Sequence, residues 1–287
     1  MANDISSELT ISTAVAVLGD LLADMSAYTL NVSPEAVGRA GTIKVPVVAT
    51  DDTARDYAES TGYTNGDSDL DGSISVEVKE RIKTFKISDS AYNTSALTLQ
   101  SYVEQNANEF GRYLQSLVYK SVDDSTASLT GLNSSGVTLQ KIKDLATDLD
   151  EAGANMDRHC VIAPTAHTAL LPNSAETFGQ NVIEAGRFSS LYGLRIHPST
   201  GFNSAVGKCH TFACPKNAIV VVNRQPTIQA TSNLEEYTTF EVEGLGIQCA
   251  YRRFYEASTG IHWGAFTSMF GVGVAVPAQV KGYKRAS

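Results

Sequence analysis

Between Thr50 and Ser73 the chain reads TDDTARDYAESTGYTNGDSDLDGS, a stretch that cannot join a packed core. It carries seven acidic residues, one arginine (Arg55) and one large aliphatic side chain (Leu70). Strand-like runs flank it, Gly41–Ala49 before and Ile74–Ile87 after. A structureless stretch of this length inside a domain is unusual and is either a working loop or disordered. Two strands carrying it outward would make a long arm that buries little of its own surface. Such an arm invites a partner, which points to assembly before catalysis.

The rest of the 287 residues has the make-up of a folded protein, since the chain is 43% hydrophobic and 18% charged. That is enough for one large domain or two small ones. Of the net charge of −9, the segment Asp51–Asp71 supplies −6, seven acids against Arg55. The remainder is nearly balanced. Sequence-specific nucleic-acid binding is disfavoured, because phosphate contacts need clustered Lys and Arg. The start, MANDISSEL, has no basic region and does not read as a secretory signal. The apolar run Ile11–Leu22 is too short to span a bilayer, and Asp20 and Asp24 interrupt it, so no membrane is expected. Cys160, Cys209, Cys214 and Cys249 are irregularly spaced and read as reduced thiols.

Periodicity divides the chain. Ile11, Ala14, Val15, Leu18, Leu21, Leu22 and Met25 recur at helical spacing in an N-terminal arm, broken at Asn31–Pro34. Ile43, Val45 and Val47 alternate with polar or small residues, and Pro46, which lacks an N–H, places that strand at an edge. On the return, Ile74, Val76, Val78 and Ile82 share one face, then Phe85 and Ile87 share the other; this predicts a corner near Lys83–Thr84. Leu97 to Val118 carries the strongest helical stripe, including Tyr102, Val103, Phe110 and Leu114, about 30 Å of helix. The polar stretch Asp123–Gly136 reads as a boundary. A helix follows with Leu139, Ile142, Leu145 and Leu149 on its face and Gly153 as its stop. A strand at Cys160–Ala163, helices at Thr165–Leu171 and Ala175–Ala185, and strands at Leu194–His197 and Ala218–Asn223 then predict a small α/β subdomain over 125–225. Tyr237–Val242, Gly246–Tyr255 and His262–Val276 read as long antiparallel strands.

Candidate chemistry is sparse. Asp67, Asp69, Asp71 and Gly72 match the opening of an EF-hand-type calcium loop. The closing position is Val78 rather than Glu, with Glu77 one place early, and no helix flanks the loop. An acidic solvated tip is the simpler reading. Cys209, His210 and Cys214, with His159 and Cys160, could hint at zinc, but a second close pair of ligands is missing. No nucleophile elbow, phosphate-binding loop, dinucleotide fingerprint or HExxH is present. Gly244-Leu245-Gly246 and Gly271-Val272-Gly273 lie in strand-like runs and read as tight bends or close packing. No catalytic residue, cofactor site or metal site is assigned.

The order of parts, with GRFSSLYGLRIHPST (Gly186–Thr200) and VVVNRQPTIQA (Val220–Ala230), resembles the tailed-phage major capsid protein of the Hong Kong 97 type. The resemblance covers nearly the whole chain and implies an α+β fold with named parts. Residues 1–40 would be the N-terminal arm and 41–87 the extended hairpin, or E-loop. Residues 88–124 and 231–287 would form the peripheral domain with its spine helix, and 125–230 the axial domain. It implies no enzyme but a shell subunit, assembled in host cytoplasm into hexameric and pentameric capsomers of an icosahedral virion head around double-stranded DNA. Expected partners are further copies of the chain, a separate scaffolding protein, a portal at one vertex, a cement protein, and packaged DNA touched non-specifically. The separate scaffold is expected because only about forty residues precede the hairpin.

The expected interface residues are those of the acidic arm: Asp51, Asp52, Arg55, Asp56, Tyr57, Glu59, Tyr63, Asp67, Asp69 and Asp71. Arg252, Arg253, Lys281, Lys284 and Arg285 are candidate complements on a neighbour. Some family members weld their shells through an E-loop lysine. This sequence has no lysine between Lys44 and Lys79, so non-covalent holding is expected. The alternatives are an encapsulin-like nanocompartment shell and, from another class, an uncharacterised α/β enzyme.

Overall fold

The computed structural model describes residues 7–33, 41–46, 73–88, 99–131, 136–170, 190–202, 205–227, 234–242 and 246–285. The acidic segment and the helix expected at Ala175–Ala185 lie outside the described residues.

Helix α1 spans Ser7–Tyr28, longer at both ends than the sequence predicts. Contrary to expectation, its stretch Thr10–Tyr28 is long and apolar enough to cross a bilayer. Its apolar face instead enters the core, where Ala14, Leu18, Leu22, Met25 and Tyr28 are buried. Helix α2, Leu99–Asp124, is the long stripe read from the sequence; Val103, Ala107, Phe110, Leu114, Val118 and Val122 face the same core. The two helices approach closely at Gly111, where a Cβ would come within 2.5 Å of Leu21. Helix α3 (Leu139–Glu151) is capped by Thr138, whose side chain accepts the Lys141 N–H, and is followed by Gly153 at φ +64°. Helix α4, Pro164–Leu170, starts on the proline, whose fixed φ suits a first turn.

Two six-stranded sheets pack against these helices, and β2 with β3 makes a separate two-stranded hairpin. The strands are β1 (Leu30–Asn31), β2 (Thr42–Pro46), β3 (Ser73–Glu77), β4 (Lys79–Ser88), β5 (Ser128–Gly131), β6 (Arg158–Ile162) and β7 (Ser190–Leu191). They continue with β8 (Leu194–Pro198), β9 (Cys209–Pro215), β10 (Ile219–Arg224), β11 (Leu234–Val242), β12 (Ile247–Glu256), β13 (Ile261–Val274) and β14 (Lys281–Lys284). The first sheet is built on β13. One of its edges pairs with β4 from Phe270 to Ile261; the other pairs with β12 and then β10, end to end. Asn223 closes that junction: its Nδ2 lies 3.2 Å from the Gln248 carbonyl, 2.7 Å from Ser268 Oγ and 3.1 Å from the Met269 carbonyl. The second sheet runs β5-β14-β9-β6-β8-β7.

Three readings of the sequence need correction. Strand β10 was expected in the α/β subdomain but pairs with β13, while the C-terminal β14 crosses into the second sheet between β5 and β9. Strands β5, β9 and β14 have no counterpart in the sequence reading: β9 is buried on both faces and so shows no alternation. The corner of the hairpin lies at Val78, not at Lys83–Thr84. There the strand leaves β2 for β13, and Ile82 ends up 48% exposed instead of on the buried face.

Candidate assembly surface

Strands β2 and β3 form a two-stranded hairpin root in the register Thr42↔Glu77 to Pro46↔Ser73. With no third strand beside β2 among the described residues, Pro46 sits at an edge as expected. Ile43, Val45, Ile74 and Val76 share one face of this root. They pack with Val78 on Val220, Val222 and Ala275 of the first sheet. Ile219 and Val221 point the other way, into the core under the helices. The root therefore covers the face of the sheet that the helices leave free.

Glycines make this seat. A Cβ on Gly271 would meet the Glu77 carbonyl oxygen at 2.6 Å, and one on Gly273 would meet Val76 at 2.8 Å. The Gly271-Val272-Gly273 run is thus a place of close packing, one of the two readings its sequence allowed. The Val78 N–H donates to the Gly41 carbonyl at 2.8 Å, after which β4 runs along β13 for ten paired residues. Apolar contact, backbone pairing and missing side chains fix where the hairpin leaves the body. Residues 47–72, which include every predicted interface residue, begin at this root and lie outside the described residues.

Beside the root a cleft of about 800 Å³ opens between the hairpin and the C-terminal half of α2, with Ser75, Glu77, Arg81, Tyr113, Lys120 and Asp124 among its lining. Its charges are partly matched. Lys79 pairs with Glu77 at 2.8 Å, Lys120 with Asp124, and Arg81 Nη1 lies 3.4 Å from the Tyr113 hydroxyl. Further along β4, Lys83 pairs with Glu109 of α2; its hydrogen bond and charge hold the Glu109 carboxyl below the usual carboxylate range.

The five cations suggested as complements of the acidic arm do not form one groove. Arg252 pairs with Glu80 at 2.6 Å and Arg253 with Glu235 at 3.1 Å, both on the first sheet. Lys281 and Lys284 belong to β14 in the second. For the zinc hint, burial pushes the Cys160 thiol up to about 12 and raises the Cys209 and Cys214 thiols as well; all three are buried core residues. Among the described residues no group of three or more metal-binding side chains converges. Glu77 is exposed while Val78 is buried, so the one carboxylate near the closing position of the calcium-like loop turns away from Val78. Sequence reasoning missed the seat itself. Its signal was the pairing of a Gly-x-Gly strand with a Val-x-Val strand.

No known family model matches the sequence, and no curated protein does. Solved structures do. A structure from Mycobacterium phage Che8 is similar over 89% of this chain and 89% of its own, with a TM-score of 0.66 and 16% identity. The capsid of cyanophage P-SCSP1u is similar over 91% and 87%, at 0.57 and 14%. The fold is that of the Hong Kong 97 type of capsid subunit. A virus-like particle from Pyrococcus furiosus shares this Hong Kong 97-type fold over 96% of this chain and 98% of its own, with a TM-score of 0.59 and 12% identity.

Proposed function

We propose that the chain is a major capsid protein, the repeating subunit of the icosahedral head of a tailed phage. The observation that carries this reading is the seated hairpin within a whole-chain Hong Kong 97-type fold, with the most acidic and least apolar stretch of the sequence carried at its end. A shell subunit needs many modest contacts that add by avidity rather than one deep pocket. Head-to-tail contacts between copies close into rings, which suits an arm laid on the next subunit in a hexamer or pentamer. The acidic residues Asp51–Asp71 are the proposed contact with that neighbour, the first sheet with α2 the peripheral domain, and the second sheet with α3 and α4 the axial domain. A scaffold, a portal, a cement protein and non-specifically held DNA complete the proposed set of partners. The role is structural, and the virion is its place.

A second reading, a cellular compartment shell enclosing protein cargo, is compatible with the same fold, which a virus-like particle from Pyrococcus furiosus also shares. Negative-stain microscopy and sedimentation of the purified chain test both. Closed shells or rings are expected; a discrete monomer at high concentration would overturn the shell function. Shells purified from cells that contain the phage's packaging machinery should hold DNA, whereas co-purifying protein cargo would favour the compartment.

A further inference from the structure

Where helix α1 meets the second sheet, four titratable side chains line up. Asp157 Oδ1 lies 3.2 Å from His159 Nε2, His159 Nδ1 lies 2.9 Å from His197 Nε2, and His197 Nδ1 lies 3.4 Å from Asp24 Oδ1. His159 comes from the start of β6 and Asp157 from the residue just before that strand, His197 from β8 and Asp24 from α1. The His159 side chain is 0% exposed and that of His197 12%, whereas Asp157 and Asp24 are 45% and 59% exposed. The middle of the row is therefore dry and its ends are wet.

Counting protons constrains this row. Each of the three contacts joins two lone-pair atoms, so each needs one hydrogen between them. Two neutral imidazoles supply only two ring N–H groups. One contact would then set a bare nitrogen against a carboxylate. Two imidazoliums would instead set N–H against N–H across the 2.9 Å contact. Only three ring protons satisfy the whole row.

We propose that the His159–His197 pair holds one shared extra proton, and that this proton fastens helix α1 to the second sheet through Asp24. The proton sits on the His197 ring. His197 donates from Nε2 to His159 and from Nδ1 to Asp24, while neutral His159 donates from Nε2 to Asp157. Burial, and then the charge of His197, hold the His159 ring below the usual histidine range, in keeping with its neutral role; Asp157 opposes this weakly. The other groups facing the row fit the same distribution of charge. Arg195 Nη1 lies 3.5 Å from Asp157 Oδ1 and balances that carboxylate. Tyr28 of α1 has its ring 5.9 Å from that of His197 and its hydroxyl 3.5 Å from the hydroxyl of Tyr119 on α2. Cys214 of β9 lies opposite His159 in the sheet. Burial raises all three of these groups, so they stay neutral.

The consequence is a device that responds to pH. Loss of the proton leaves two ring N–H groups for three contacts, and the contact given up is the one at Asp24, the wetter end, so the hold on α1 is present at lower pH and is lost as pH rises. At still lower pH a second proton on His159 splits the pair. Because α1 also packs on α2 and the first sheet, the proton count sets how firmly the two sheets are coupled through this helix.

Hydrogen exchange on the full chain, read by mass spectrometry, tests this at two kinds of site. At the histidine C2 positions, His159 should behave as neutral across about pH 5–8, the range in which imidazoles normally titrate. At the amides of residues 7–28, corrected for intrinsic rates, exchange should be about tenfold faster at pH 8 than at pH 6 in the wild type, the scale of one charge-assisted hydrogen bond. It should lose that pH dependence in Asp24→Asn and in His197→Gln. A His159 ring that takes the proton first, pH-dependent exchange of 7–28 that survives Asp24→Asn, or pH-independent exchange of 7–28 in the wild type would each overturn the proposal. Should a variant fail to fold, the wild-type readings at His159 and at 7–28 still decide it.

Discussion

The root of the hairpin and the segment it carries are adjacent in sequence and opposite in character. At the root Val45, Val76 and Val78 are 4%, 1% and 3% exposed, and two glycines of β13 leave room for Val76, Ile74 and the Glu77 backbone. Beyond it, Asp51–Asp71 offers seven acids and one leucine, too little apolar surface to offset the entropy of ordering the chain on its own. The difference teaches that one limb answers two requirements. Its first part is written for its own subunit; its second, under the proposed function, serves contact with a neighbouring copy.

The strongest way to break this comparison is to remove the carried part. Deleting Asp51–Gly72 leaves the four residues Val47–Thr50 between the paired Pro46 and Ser73, a length that closes a hairpin. The body should fold with an unchanged circular dichroism spectrum while sedimentation shows complete loss of shells. Shells that persist would show that the segment is not an interlocking device. The next largest effect is expected at the root. Val76→Asp buries an unpaired charge on the sheet, and should cost about 3 kcal/mol or more in denaturant unfolding. By contrast, Asp69→Asn in the acidic segment should leave stability within about 0.5 kcal/mol. Equal losses at both positions would erase the distinction.

Gly271→Ala comes next. The added methyl meets a backbone oxygen, which cannot swing aside, so a loss of about 1–3 kcal/mol is expected together with a displaced hairpin. Wild-type stability in that variant would remove the seat from the account. The smallest effect belongs to Lys83–Glu109, an exposed pair. Its contribution is present above the usual carboxylate range and is lost as pH falls through the lowered Glu109 value. Thermal unfolding of Glu109→Gln should therefore differ slightly from the wild type near neutral pH and converge with it in acid or at about 1 M salt, where exposed charges are screened.

The sequence was readable where one side of an element faces water. The stripe on α2, the apolar face of α3 and the alternation of β2 and β3 each follow from half-burial, and each appeared in the structure. Readability failed where both faces are covered or the partner is remote. In β9, six of seven residues are buried, and Cys209 and Cys214 resembled ligands because no pattern marked them as core. β14 is four residues long with lysines at both ends; its place follows from β5 and β9, far away in the chain. The corner was misplaced by Ile82, an apolar residue whose exposure breaks the rule that periodicity relies on. The hairpin could be located from sequence, but its seat could not. The seat depends on glycines some two hundred residues beyond the Ile74–Glu77 stretch they receive.

Cryo-electron microscopy of the assembled particle bears most directly on the central claim, because it locates residues 51–71 with neighbouring copies present. The account predicts density for this segment running from the root at Pro46 and Ser73 onto the surface of an adjacent subunit, with its carboxylates against that subunit's cations. Density that folds back over its own subunit, touching no second chain, would contradict it.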